Sequence, residues 1–346
     1  MNVLVAMSGG VDSSVAAALL LEAGHEVTGV TLKLWGGDSD SGCCSVADVE
    51  DARRVAAQLG IPHYVFNFTE AFDEAVVDPY VGAYAAGNTP NPCVECNRTM
   101  KWGLLLERSR SMGFDALATG HHARIERDSN GDAWVARGED AAKDQSYVLS
   151  VLAGDAISDT LLPVGDLTKA EVREHAARLG MRTASKAESM DVCFIKRGGR
   201  EDFLAARVDA SPGAVVDSEG VEVGRHDGVS GFTIGQRRGV GVAAGERRYV
   251  VDIDAATSTV VLGRKEELHR DTIALDNLHG VHGSAPISAE PGETPLLIQT
   301  SAHGVPVKGY LIGDTLHLEE ERPRVAPGQV VALYVGDRVV GSGIAR

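Results

Sequence analysis

Apolar positions near the start of the chain come in short runs separated by longer amphipathic stretches. Val3–Met7 reads as a strand, Ser13–Ala23 as a helix, Glu26–Leu34 as a strand, Val46–Leu59 as a helix and His63–Phe68 as a strand. Strands that alternate with helices pair through crossovers, which predicts a doubly wound parallel sheet of α/β type with helices on both faces. Another apolar strand, Ala116–Thr119, runs into Gly120-His121-His122, and Lys169–Leu179 reads as a helix capped by Thr168. This pattern carries a first domain over residues 1–205.

From Pro212 onward the period shortens. Ala214–Val223 and Tyr249–Leu262 are alternating runs broken by turn residues, and Val330–Gly341 places two strands around Gly336-Asp337. Each is a hairpin signature. They predict a small β-rich central domain over 206–268 and a β-barrel-like domain over 269–346.

With 346 residues and 44% hydrophobic content, the chain can bury a core for each of these units. No apolar run reaches the roughly 20 residues that span a bilayer, and the first residues enter a strand directly, which points to a cytoplasmic protein with no membrane partner. A net charge of −16 opposes bulk attraction to nucleic acid. Local clusters run the other way: Lys196-Arg197-Gly198-Gly199-Arg200, Arg237-Arg238 and Arg247-Arg248 could each face a polyanion.

Candidate chemistry starts at the first strand-to-helix turn, Ser8-Gly9-Gly10-Val11-Asp12-Ser13-Ser14. Glycines let the backbone approach an anion, and the following helix start offers N–H groups to phosphate oxygens. The Walker pattern is absent, which excludes a P-loop kinase or GTPase. The S-G-G-x-D-S run resembles the PP-loop of ATP pyrophosphatases, which split ATP between the α and β phosphates. On that resemblance Asp12 would help hold Mg²⁺.

Five cysteines in a chain of this length are too few for a disulfide scaffold. Cys96 lies in Gly87-Asn-Thr-Pro-Asn-Pro-Cys-Val-Glu-Cys-Asn-Arg98, whose prolines and asparagines predict an irregular loop that exposes it. Cys193 follows Asp191 in a short apolar run, where taken alone it is more often a buried core thiol, and Cys43-Cys44 carry no expected role. A thiolate can carry sulfane sulfur as a persulfide, and a second thiol can resolve the intermediate as a disulfide. Cys93, Cys96 and Cys193 together could also ligate a [4Fe–4S] cluster or zinc, with Cys93 as a spare packed thiol the alternative.

Over essentially its whole length the chain resembles the bacterial tRNA-specific 2-thiouridylase family. The matching segments are Met7-Ser-Gly-Gly-Val-Asp-Ser-Ser14, Asn88-Thr-Pro-Asn-Pro92 with Cys96-Asn97, Ala118-Thr-Gly-His121, Lys143-Asp-Gln-Ser-Tyr147, Pro163-Val-Gly165, Asp191-Val-Cys-Phe-Ile195, Thr233-Ile-Gly-Gln-Arg237 and Pro327-Gly-Gln329. The resemblance implies a PP-loop (HUP-like) domain and a sulfurtransferase. Its reaction would adenylate C2–O of the wobble uridine U34 and replace that oxygen with sulfur from a Cys193 persulfide, with Cys96 as partner thiol. ATP would be held by Ala6, Met7, Ser8, Gly9, Gly10, Val11, Asp12 and Ser13, with Leu32 and Gly120. Transfer RNA would meet His121, Lys143, Asp144, Gln145 and Gln329, with Asn91, Pro92 and Cys93 against the flipped base. The implied partners are tRNAs for lysine, glutamate and glutamine and a cysteine desulfurase or sulfur relay protein.

The chain departs from the family at Cys93, often Asp in relatives, and at Leu32, Met in some. A basic or aromatic RNA contact is also missing around Thr300–Gly304. On the residues alone, an amidating PP-loop synthetase and a non-catalytic ATP-binding module remain open. The first has no use for the two cysteines, and the second releases no pyrophosphate in response to RNA.

Overall fold

The structure is a computed structural model that describes residues 1–35, 46–187, 192–195, 199–209, 211–241, 247–283 and 295–346. The first half builds on β1 (Asn2–Ala6), α1 (Val11–Glu22), β2 (Glu26–Lys33), α2 (Val46–Leu59), β3 (His63–Asn67), β4 (Ala116–Ala118) and β7 (Thr160–Leu161). These strands form a five-stranded parallel sheet in the order β3-β2-β1-β4-β7. Val3, Leu4 and Val5 are fully buried because β1 is central and covered on both faces, which is why its sequence is continuously apolar. Val15, Ala16 and Ala17 of α1 are equally buried, and their small side chains let the helix lie close on the sheet. Helix α1 starts at Val11, two residues before the expected Ser13, because Gly10 is extended and acts as its N-cap.

The Lys169–Arg178 helix carries the expected Thr168 cap in full. Thr168 accepts from the Glu171 backbone N–H while the Glu171 carboxylate accepts from the Thr168 N–H, a capping box. The segment around Cys96 departs from the expectation of an irregular loop. Pro92–Cys96 is α-helical and continues through the π-helical Asn97–Leu105 into Leu106–Ser111. Pro92 sits in the first helical turn, where its missing N–H costs nothing, and the Asn91 side chain accepts from the N–H groups of Cys93 and Val94. The residues that argued for a loop are a helix start.

The expected hairpins are present: β8 (Gly213–Asp217) with β9 (Glu222–His226), β10 (Tyr249–Asp254) with β11 (Thr259–Gly263), and β16 (Val330–Val335) with β17 (Arg338–Ala345). The first two join through a parallel β11–β8 pairing into a four-stranded sheet over its own apolar cluster. Strands β12 (His269–Gly280), β13 (Leu296–Gln299), β14 (Val307–Ile312) and β15 (Thr315–Pro323) add to β16 and β17 in the order β12-β15-β14-β13-β16-β17. The ring closes because β12 pairs with β15 through His269–Ala274 and with β17 through Leu275–Gly280.

One hairpin had no counterpart in the sequence reading. Strands β5 (Ala123–Arg127) and β6 (Ala133–Arg137) leave the first domain and extend the barrel sheet, with Ala136 opposite Arg338 of β17. A single apolar cluster therefore runs from Leu4 and Leu117 through Val135 and Tyr147 to Val330 and Tyr334. Buried polar bonds pin this junction: Tyr147 Oη donates to the Val330 carbonyl at 2.7 Å, and Ser146 Oγ lies 3.1 Å from Tyr334 Oη. Among the described residues no helix is long and apolar enough to cross a membrane.

Tyr147→Phe keeps the ring but strands a buried carbonyl, which costs about 1–3 kcal/mol. We expect a lower urea midpoint for unfolding, followed by circular dichroism, with ATP affinity unchanged.

Candidate active site

Ala6, Leu32 and Gly120 lie at or just beyond the C-terminal ends of β1, β2 and β4, where an open parallel sheet offers its ligand crevice. The loop between β1 and α1 fills that crevice. Gly9 has φ +72°, and a Cβ there would lie 2.2 Å from the Asp48 carbonyl oxygen at the start of α2. Gly120 is pressed against the other side, where a Cβ would lie 2.5 Å from the Ser13 nitrogen. The loop also ties itself together: Ser8 N donates to Ser13 Oγ at 3.2 Å, and Ser13 Oγ and Ser14 Oγ donate to the Gly10 carbonyl at 3.2 and 2.7 Å. Met7 N donates to the Val30 carbonyl. Gly10 caps α1 without a side chain, which leaves the first-turn N–H groups of Val11, Asp12 and Ser13 facing the loop as an anion cradle.

Asp12, expected to hold Mg²⁺, is engaged here by two basic groups. Lys169 Nζ reaches both carboxylate oxygens at 2.7 Å, and His122 Nε2 lies 3.1 Å from Oδ1. Burial would raise the Asp12 pKa, but the bonds from His122 and Lys169 hold it below its ordinary value, so it is a carboxylate at neutral pH. An ionised oxygen pair with an exchangeable ammonium fits a hard divalent cation. Lys169 and His122 were not among the sequence candidates. The signal was there: a lysine at the first position of a helix opposes the helix dipole and calls for another reason to be present.

His121 is buried, with Nδ1 2.6 Å from Thr119 Oγ1 and Nε2 3.2 Å from Lys101 Nζ. An ammonium only donates, so Nε2 accepts and Nδ1 carries the proton. Burial, then the Lys101 and His122 charges, hold its pKa well below the ordinary histidine value.

Of the other residues expected at RNA, Asp144 is turned inward and accepts from Arg137, Gly138 N, Ser146 N and Ser146 Oγ at 2.8–3.1 Å. Gln145 exchanges two bonds with the His122 backbone, and Lys143 is half-buried. Gln329 Nε2 donates to the Thr89 carbonyl while Thr89 N donates to the Pro327 carbonyl at 2.7 Å. These bonds seat the barrel's Ala326–Gln329 turn on the segment that leads to Asn91, Pro92 and Cys93. Arg237, Arg238 and Arg247 are exposed on the central module, whereas Lys196, Arg197, Asp191 and Cys43-Cys44 lie outside the described residues.

Cys96 is buried rather than exposed, because the helix that replaces the expected loop turns it into the main apolar cluster. Cys193 is half-buried and packs on the same cluster. Phe194 fixes that neighbourhood, its ring 5.4–6.0 Å from those of Phe203, Tyr80, Phe72 and Trp35. Asn97 Nδ2 bonds the Val148 carbonyl at 3.0 Å and joins the cysteine helix to the 143–149 loop. The cluster or zinc site left open above finds no support: among the described residues no group of three His, Cys, Asp or Glu side chains is arranged to hold a metal ion.

A parallel sheet with a lysine-free phosphate loop and two distant cysteines on one apolar cluster defines a PP-loop type nucleotide-binding domain fused to two β modules. Three family models match in series: a tRNA methyl transferase HUP domain over residues 1–197, a tRNA methyl transferase PRC-barrel domain over 201–264 and an aminomethyltransferase beta-barrel domain over 271–345. The tRNA-specific 2-thiouridylase MnmA of Corynebacterium efficiens is 46% identical over 99% of this chain and 98% of its own, and that of Chloroflexus aggregans 46% over 100% and 98%. The chain belongs to the tRNA-specific 2-thiouridylase family. Among solved structures, a 4-thiouridine synthetase–RNA complex with bound ATP aligns over 56% of this chain and 44% of that one at 19% identity and a TM-score of 0.37.

Two outcomes test this geometry. Gly120→Ala forces its methyl group into the start of α1, and we expect ATP affinity by calorimetry to fall about tenfold, roughly 1.4 kcal/mol. His121 is held neutral in the fold while the unfolded chain takes up its proton below about pH 6.5. Its contribution is therefore present above that pH and lost as pH falls, and the wild type should lose more stability than His121→Gln between pH 7.5 and 5.5 in urea titrations.

Proposed function

We propose that the chain thiolates the wobble uridine of transfer RNA, converting U34 to 2-thiouridine at the expense of ATP. The observation that carries this reading is the pairing of a lysine-free phosphate loop with Cys96 and Cys193 on one apolar cluster. Adenylation makes the uridine O2 a leaving group, and an amide-like carbonyl needs that activation before sulfur can replace its oxygen.

The steps assign each group a task. The loop from Ala6 to Ser13 holds the β and γ phosphates, so O2 attacks the α phosphorus and pyrophosphate leaves. Asp12 would hold Mg²⁺, whose charge neutralises the departing pyrophosphate. Lys169, which bonds Asp12, would add a second positive charge beside the phosphate loop. The terminal sulfur of a Cys193 persulfide attacks C2 and AMP departs. Cys96 thiolate next attacks the Cys193 Sγ, which leaves sulfur on the base and a Cys96–Cys193 disulfide for an external dithiol to reduce.

The target base has to leave the anticodon stack to reach this pocket, and Asn91, Pro92 and Cys93 line the approach. His121, Lys143, Asp144, Gln145 and Gln329 shape the RNA-facing rim, the inward ones by holding its loops. We place the domain boundaries near residues 205 and 268, with the β modules gripping the RNA by shape. Substrate tRNAs for lysine, glutamate and glutamine, a cysteine desulfurase or relay as sulfur source, and a cytoplasmic location complete the proposal. The methyl-transfer wording of the family models fits less well, since methyl transfer requires neither this loop nor paired thiols.

Mass spectrometry of U34 after incubation with unmodified tRNA, Mg·ATP and a persulfide donor tests the reading, with 2-thiouridine, AMP and pyrophosphate expected. ADP and phosphate as products would defeat it. Cys96→Ser and Cys193→Ser should each lower thiolation by at least roughly a thousandfold while ATP binding stays within about twofold.

A further inference from the structure

The turn that follows the Lys169–Arg178 helix is anchored to the phosphate loop by one lysine. Lys186 Nζ donates to the Gly9 carbonyl at 2.9 Å, to Asp48 Oδ1 at 2.7 Å and to Asp51 Oδ2 at 2.7 Å, which uses all three of its protons. Its own carbonyl and that of Ala184 are gripped by the Arg173 guanidinium at 2.6–3.2 Å. Arg173 stands one turn along the helix whose first residue, Lys169, bonds Asp12. One helix and the 3₁₀ turn that follows it (Arg182–Ser185) thus hold the loop at two points, Asp12 and Gly9. Cys193 lies seven residues beyond Lys186, and Phe194 is locked in its aromatic cluster just after it.

Removing Lys186 has unequal effects on the two ends of this link. The phosphate loop retains its Ser13 and Ser14 bonds to Gly10, the Met7 bond to Val30 and the close backbone contacts at Gly9 and Gly120. The turn that ends at Lys186, seven residues before Cys193, loses the ion pairs that tie it to the nucleotide site. Asp48 and Asp51 would also lose the cation they share.

We propose that Lys186 is a positioning residue that couples the phosphate loop to the placement of Cys193, so that adenylation is followed by sulfur transfer rather than by loss of the adenylate to water. This rests on the thiolation reading above. Water attack on the adenylate releases AMP and restores uridine, so uncoupling is seen as AMP formed without 2-thiouridine.

AMP and 2-thiouridine are measured in one reaction of the full chain with tRNA, Mg·ATP and a persulfide donor. The wild type should yield close to one AMP per thiouridine. Lys186→Met should keep AMP formation within about threefold and lower thiouridine at least about tenfold, and Lys186→Arg, which retains the charge, should restore much of the ratio. A parallel fall of both products, or an unchanged ratio, overturns the coupling role. If Lys186→Met fails to fold, Asp51→Asn weakens the same anchor and should shift the ratio by about threefold; an unshifted ratio there overturns the proposal as well. A wild type that makes no thiouridine would instead overturn the underlying reading.

Discussion

Backbone contact at two glycines sets the geometry on which the rest of the nucleotide site depends. Gly9 rests on the start of α2 and Gly120 on the start of α1, each closer than any side chain permits. A loop clamped this way needs no lysine of its own to hold its shape, and its attraction for phosphate comes from backbone N–H groups and a helix start. Cations arrive from elsewhere in the chain. Lys169 and Lys186 reach the loop across more than 150 residues of sequence, so the site is assembled only when the first domain is complete.

Much of this was legible in the sequence, and the failures have physical causes. Four of the five parallel strands and the helices α1 and α2 follow from runs of apolar residues, while the two-residue β7 (Thr160–Leu161) is too short to leave such a run, and the S-G-G-x-D-S loop is read from local chemistry alone. The Cys96 segment was misread because proline and asparagine serve equally well in turns and at helix starts. What separates the two is whether the Asn91 side chain finds the Cys93 and Val94 N–H groups. Lys169, Lys186 and His122 were missed for another reason: their partners are remote, and no local pattern announces a long-range ion pair. The β5–β6 hairpin was missed because Ala123–Arg127 and Ala133–Arg137 are half polar and find their partner strand about 200 residues later.

The cysteine neighbourhood shows what an apolar setting does for sulfur chemistry. Cys96 belongs to the same apolar cluster as Val94, Met100, Tyr80 and Phe194, and Cys193 packs against that cluster. Dispersion and exclusion of water shape that space. On the proposed reading the same dryness matters twice, since water competes with persulfide for the adenylate and exposes sulfane sulfur to adventitious thiols.

The hairpin lent to the barrel also bears on how the molecule is made. Ala136, already paired with Arg124 of β5, keeps its outer edge open until Arg338, about 200 residues later in the chain, emerges to meet it. Contacts of such sequence separation close slowly, and the nascent first domain meanwhile presents a strand edge and the apolar surface of Val135 and Tyr147. Biogenesis of this protein is therefore exposed to aggregation until β17 is made, and a chaperone that shields that edge would act on the first domain before the barrel exists.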